Sequence, residues 1–423
     1  MRGRISIPLI LSYVFDWIVL IALGAVATIL GEIEPNKRPF SLADRDISFP
    51  FTEQEACPSW LLLVLVGPLP IGVIAIVTLI FVPGATVPKD TPRRLLWQRK
   101  LWELHVGWLG LLMSLSLAWF FTSGMKNMFG KPRPDLLSRC RPDLANAERY
   151  AVGGFALNND AFKLYSGDIC TQPDDHLRQD GFRSFPSGHS SASAAGLIYL
   201  SLFLASKFAV TIPFAATGPS TDHANMASAF PSRNAASRQN VFQDDSAEKM
   251  TNSQAYQNSQ NQAIRRRAAA PPVYLLVAVI APFCVAIWIS ASRWYDFRHH
   301  GFDILFGFSM GTISAIYSFR YYHLDLRQGA GWAWGPRSRS RAWWAGVGRL
   351  GYVGDGDDTP DNTKQLAQDP MMGTGYVSST AAGPSTMMQR NGYPEYGHSA
   401  HDSESLQDVE LTQLEAQSVH QRV

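Results

Sequence analysis

Apolar residues along this 423-residue chain come in blocks rather than being spread evenly. Six blocks are long enough to cross a hydrocarbon core as helix, which takes about 20 residues. They run Ile7–Leu30, Trp60–Val82, Leu101–Ser123, Ser190–Val210, Pro272–Ala291 and Phe302–Tyr322. Two stretches break the pattern. Residues 212–270 are rich in Ser, Ala, Asn and Gln, and residues 326–423 are polar and Gly-rich. Such compositions bury too little apolar surface to offset ordering entropy. The pattern predicts an all-α fold: a six-span transmembrane helical bundle built from residues 1–211 and 271–325. Between the two parts lies a disordered cytosolic insertion (212–270), and a disordered cytosolic tail (326–423) follows.

The first block follows Arg2 and Arg4, and Ala25-Val26-Ala27 resembles a signal cleavage site. Its length favours a retained helix. Basic residues set the orientation. Lys89, Arg93, Arg94, Arg99 and Lys100 lie between spans two and three. Arg265-Arg266-Arg267 precede span five, and Arg320, Arg327, Arg337, Arg339 and Arg341 follow span six. All fall on one side if both termini are cytosolic. Loops 31–59, 124–189 and 292–301 then face a lumen or the exterior. Interleaved Trp and Arg in GWAWGPRSRSRAWWAG are read either as contacts to an anionic leaflet or as a solvated linker.

Composition narrows the classes. With 46% hydrophobic and 17% charged residues and a net charge of +2, nucleic-acid binding has no support. Cys57, Cys140, Cys170 and Cys284 show no metal-site spacing. Cys284 reads as a packed small side chain. Cys140 and Cys170 flank one loop and pair if that loop meets an oxidising compartment; free thiols are the alternative.

Three polar clusters then land on the non-cytosolic face: KNMFGKPRP, GFRSFPSGHSS and SRWYDFRHHGFD. Lys126, Arg133 and Arg293 supply three permanent cations that no carboxylate cluster neutralises. Arginine forks match phosphate oxygens bidentately, and lysine adds a compact charge. Ser187 and Gly188 open a helix whose free N–H groups favour an anion. His299 stands four residues before Asp303, on one helix face if span six begins here. A carboxylate so placed holds one ring nitrogen as N–H and frees the other to attack phosphorus. His189 then protonates the leaving alkoxide and later activates water. His300 is expected to point elsewhere, in a supporting role. Neither a metal nor another cofactor is required, since phosphoryl transfer needs mostly positioning and charge.

At these residues the chain resembles the type 2 phosphatidic acid phosphatase superfamily, and within it the fungal lipid phosphate phosphatases. The family signature K-x6-RP, PSGH and SR-x5-H-x3-D is matched at Lys126, Arg133, Pro134, Pro186, Ser187, Gly188, His189, Ser292, Arg293, His299 and Asp303. The likeness covers roughly residues 5–325. It implies magnesium-independent dephosphorylation of phosphatidate, lysophosphatidate or diacylglycerol pyrophosphate, drawn from within the bilayer. It also implies the histidine roles just given. An endomembrane such as the vacuole or Golgi is favoured over the plasma membrane, and a homo-oligomer stays open.

Other readings are weaker. Sphingoid base phosphates, polyprenyl diphosphates or a sugar phosphate would present the same phosphoryl group. A transporter would spread its charges along the spans rather than gather them at one face. Vanadium-dependent haloperoxidases share the oxyanion pocket but sit on soluble folds. Asp355–Thr359 spells DxDxT without the α/β domain that motif needs, and DRDIS at Asp44–Ser48 fails alike. His105 reads as a satisfied interfacial residue, and Asp16 as a polar packing contact. Trp108, Trp119 and Trp288 read as core or interface aromatics.

Overall fold

The computed structural model describes residues 7–84, 87, 91–154, 162–210, 270–324, 326, 331–337, 342 and 343. The expected insertion, all but the start of the expected tail, the DxDxT stretch, Lys89 and Arg265–Arg267 lie outside these.

The apolar blocks form helices wherever their length predicts them. They are α1 (Ile7–Glu32), α2 (Ser59–Val66), α3 (Pro68–Phe81) and α4 (Arg93–Phe129), then α9 (Val273–Tyr295) and α10 (Gly301–Tyr322). Between them lie the short α5 (Leu136–Cys140), α6 (Asp175–Asp180), α7 (Gly188–Ser193) and α8 (Tyr199–Lys207). Gly67-Pro68 breaks the second span into α2 and α3, because proline cannot donate the helical bond there. Among the described residues, five stretches are long and apolar enough to cross a membrane, α2 and α3 counting as one. This is a membrane protein.

The span expected at Ser190–Val210 differs in kind. It is realised as α7, a π-helical turn at Ala194–Ile198, and α8 in unbroken succession. Nearly every residue is buried, including Ser190, Ser191, Ala194, Ala195, Tyr199 and Phe203. It is the central pillar, with the other helices around it, so its Ser/Ala/Gly content serves helix packing rather than lipid contact. Ser114 of α4 donates to the Ala195 carbonyl (2.9 Å), and Tyr199 to the Gly107 carbonyl (3.0 Å). A Cβ on Gly110 would stand 2.2 Å from the Tyr199 hydroxyl. On α10, Gly307 and Gly311 form a small-xxx-small stripe. Side chains there would meet the Ser187 and Ser191 carbonyls at 2.5 and 2.2 Å.

At 37 residues α4 outruns the span expected from hydropathy. It ends at Gly130, whose φ of +57° turns the chain toward the loops. Those loops form a cap over one end of the bundle. Its apolar centre gathers Phe40, Ile47, Leu136, Tyr165, Ile169 and Phe182. The hairpin β1 (Ala151–Gly154) and β2 (Lys163–Tyr165) edges it, and a Cys140–Cys170 disulfide staples α5 to the end of the 3₁₀ turn Gly167–Ile169 that follows the hairpin.

The start of the expected disordered tail is packed. Gly331–Arg337 folds back onto the opposite end of the bundle. The Trp332 carbonyl accepts from the Leu324 N–H, and Trp334 N–H donates to the Tyr322 carbonyl. Arg337 pairs with Asp16 at 2.6 Å, which is the polar contact expected of that intramembrane carboxylate.

Candidate active site

Each sequence cluster takes its position from a helix end under the cap. Lys126 lies in the last turn of α4, and a Cβ on Gly188 would stand 3.2 Å from its Nζ, so glycine lets the amine come close to the start of α7. Ser187 caps α7 and accepts from the Ser190 N–H, while its own N–H donates to the Asp303 carbonyl (3.0 Å). Arg133 N–H donates to the Gly181 carbonyl (2.8 Å) and Ser184 N–H to the Lys131 carbonyl (3.0 Å). The first and second clusters are thereby zipped together through backbone.

His299 is buried at 2% exposure. Its Nδ1 lies 2.6 Å from the Ser184 carbonyl. A carbonyl only accepts, so Nδ1 carries the proton and Nε2 keeps its lone pair. Burial, followed by the charges of Arg133 and Lys126, holds this imidazole well below the ordinary histidine range. His189 bonds the Cys57 backbone and lies within reach of the Arg293, Lys126 and Arg133 charges. Its Nε2, like Arg133 Nε, is buried without a hydrogen-bond partner among the described residues. Lys126 has no ion-pair partner there either.

Two expectations are corrected. Asp303 does not hold His299. The helix begins at Gly301, so His299 precedes it and the i,i+4 relation does not arise. Asp303 instead caps α10 through the His300 N–H (3.2 Å) and ring, accepts from the Ser184 hydroxyl (2.6 Å), and pairs with Lys131 (2.7 Å). It supports the loop whose carbonyl orients His299, and His300 stands in the supporting place expected of it. The second correction concerns charge. Arg133 pairs with Asp180 (2.7 Å), and Arg293 with Glu55 and Asp296 (2.8 Å each). Of its five donors Arg133 gives one to Asp180 and keeps Nε unpartnered, whereas Arg293 gives four, to Ser292 Oγ, Glu55, the Cys57 carbonyl and Asp296, and keeps one. Burial works against the Asp180 charge, yet Arg133, Arg139 and Lys126 pull its carboxyl down to about 2.

Sequence reasoning missed Lys131, Ser184, Asp180 and Glu55. The first two sit inside or beside quoted clusters. Asp180 borders the second cluster, and Glu55 is brought in by cap folding, which no local spacing announces.

A family match now bears on this geometry. The PAP2 superfamily matches residues 107–327, from mid-α4 to just past α10 and so through all three clusters. The chain belongs to the PAP2 superfamily. Relatives within it include a Schizosaccharomyces pombe protein named "Probable diacylglycerol pyrophosphate phosphatase 1". That one is 28% identical over 70% of this chain and 78% of its own. Lipid phosphate phosphatase 2 of Arabidopsis thaliana is 30% identical over 47% of this chain and 58% of its own. Diacylglycerol pyrophosphate phosphatase 1 of Saccharomyces cerevisiae is 28% identical over 49% and 50% respectively. No solved structure gives a significant match. As a PAP2 superfamily member the chain is a membrane helical bundle, and its three clusters lie inside the matched region.

Proposed function

We propose that this protein is a magnesium-independent lipid phosphate phosphatase, acting on phosphatidate, lysophosphatidate or diacylglycerol pyrophosphate through a phosphohistidine. The observation that carries the reading is the Ser184 carbonyl on His299 Nδ1, which leaves Nε2 as a neutral nucleophile beside Lys126 and Arg133. Nε2 attacks phosphorus while the bond to the leaving oxygen breaks and His189, its protonated form supported by the substrate's negative charge against the nearby Arg293, Lys126 and Arg133, gives that oxygen its proton. Neutral His189 next takes a proton from water, whose oxygen attacks phosphorus and releases His299 and inorganic phosphate. Lys126, the remaining donors of Arg133 and Arg293, and the N–H groups at Ser187-Gly188 carry the charge of the phosphoryl oxygens. Asp303 keeps the Ser184 loop in place.

The aromatic set Phe129, Phe185, Phe302 and Phe306 supports a lipid leaving group. Phe185 directly precedes Pro186-Ser187, Phe302 follows His299-His300-Gly301, and the rings pack 4.8–6.1 Å apart. Phe302 is 65% exposed, as suits a surface facing acyl chains. The Cys140–Cys170 bond supports a lumenal or extracellular cap with cytosolic termini.

The test is phosphate release from phosphatidate in detergent with EDTA, for wild type and His299→Ala side by side. Wild type is expected to turn over and to yield a base-stable, acid-labile phospho-enzyme. The variant should lose activity on the order of 10³-fold or more and trap no phosphate. A strict need for added magnesium, or turnover by the variant, overturns the reading.

A further inference from the structure

The two arginines of the phosphate cradle come from distant parts of the chain, yet one line of alternating charges runs between them beneath the cap. Asp180 bridges Arg133 (2.7 Å) and Arg139 (2.9 Å). Asp135 pairs with Arg139 (2.9 Å) and reaches Arg298 at 3.6 Å. Glu55 bridges Arg298 (2.7 Å) and Arg293 (2.8 Å), and Asp296 closes the end. Four guanidinium groups meet four carboxylates, so the line is neutral. Asp135 and the Arg139 and Arg298 side chains are buried or nearly so. Both of those guanidinium groups also rest on the Phe51 ring, at 4.7 and 4.6 Å.

Apart from the peptide link of Arg298 to His299 and the Arg298 N–H on the Arg293 carbonyl (3.0 Å), Arg139, Asp135 and Arg298 reach the residues assigned to the chemistry only through Asp180 and Glu55. Their place in the line is its midpoint, where Asp135 alone separates two like charges stacked on one phenyl ring. Without that carboxylate, Arg139 and Arg298 repel across Phe51 with little water to screen them. The strain passes outward through each bridging carboxylate to Arg133 on one side and Arg293 on the other. We propose that Asp135 is a positioning residue that sets the spacing of the two phosphate-binding arginines. The proposal rests on the reading of this site as a phosphate cradle. It differs from a stability role because it predicts a defect in oxyanion affinity.

The experiment measures inhibition by inorganic phosphate, together with kcat, KM and thermal melting, on full-length protein in detergent. In Asp135→Asn the phosphate inhibition constant and KM should each rise roughly tenfold, equivalent to ~1.4 kcal/mol, with kcat falling less. Asp135→Glu, which restores the charge, should recover part of the loss. A folded Asp135→Asn with unchanged inhibition constant and KM overturns the proposal. If Asp135→Asn fails to fold, Arg298→Lys decides by the same readout: it keeps the charge and loses the fork, and an unchanged inhibition constant again overturns the proposal. Wild type that phosphate does not inhibit would instead defeat the cradle reading itself.

Discussion

At the end of the bundle away from the motifs, Glu103 is wholly buried, yet Lys207 (2.6 Å), Arg99 (2.8 Å) and the Ala333 N–H (3.1 Å) all close on it. Lys207 and Arg99 also lie over the Trp332 ring, at 4.8 and 5.1 Å. Under the cap the density of buried charge is similar, but the closure is incomplete. Lys126 makes no direct ion pair among the described residues, although it feels the Asp180 charge, and Arg133 Nε and His189 Nε2 lack partners. One cluster closes its charges on one another, although His323 beside it leaves both ring nitrogens buried and unpartnered; the other leaves charged donors over. Burial of charge is therefore no sign of a site by itself. Donors left over in one small volume are.

The largest effect should come from the saturated end. Lys207→Met leaves Glu103 buried with Arg99 as its remaining side-chain partner, and breaking a buried pair costs ~3–5 kcal/mol. Melting should fall sharply while the folded fraction keeps its phosphate inhibition constant; a changed constant would mean the two ends are coupled. Next, Lys126→Met removes a reserved donor, with an expected loss of ~2.7–4 kcal/mol of barrier lowering. Activity assays should show that loss with melting little changed, because the removed amine is buried without a direct ion pair. The smallest effect is in pH dependence. With its imidazole held below the ordinary range, His299 stays neutral as pH falls through ~6.5, the usual histidine value. The acid limb of kcat/KM assigned to the nucleophile should lie below that value, and Arg133→Gln should move it upward by removing one cause of the depression.

The spans were legible because lipid demands long apolar runs, and the three clusters because phosphoryl chemistry needs specific side chains at fixed spacing. The central pillar was harder. A helix surrounded by other helices needs small residues for close approach, so Ser190–Ala195 look less like a span than α1 does. Gly307-x3-Gly311 was an available signal for that packing. The role first expected of Asp303 failed on a single boundary, since His299 lies two residues before its helix. The partners of Arg133 and Arg293 were only partly readable, since Asp296 stands inside the third cluster and Asp180 borders the second, but Glu55 does neither. Glu55 lies 238 positions from Arg293 in sequence, and only closure of the cap brings them together.

The stripe on α10 sets a limit on how this catalyst can be reshaped. At Gly307 a single methyl would push into the Ser187 carbonyl, so the floor of the proposed phosphate cradle admits no added side chain from that side. Engineering toward bulkier or slimmer lipids has more freedom at Phe129, Phe302 and Phe306, whose side chains are at least partly exposed, than at the buried Phe185.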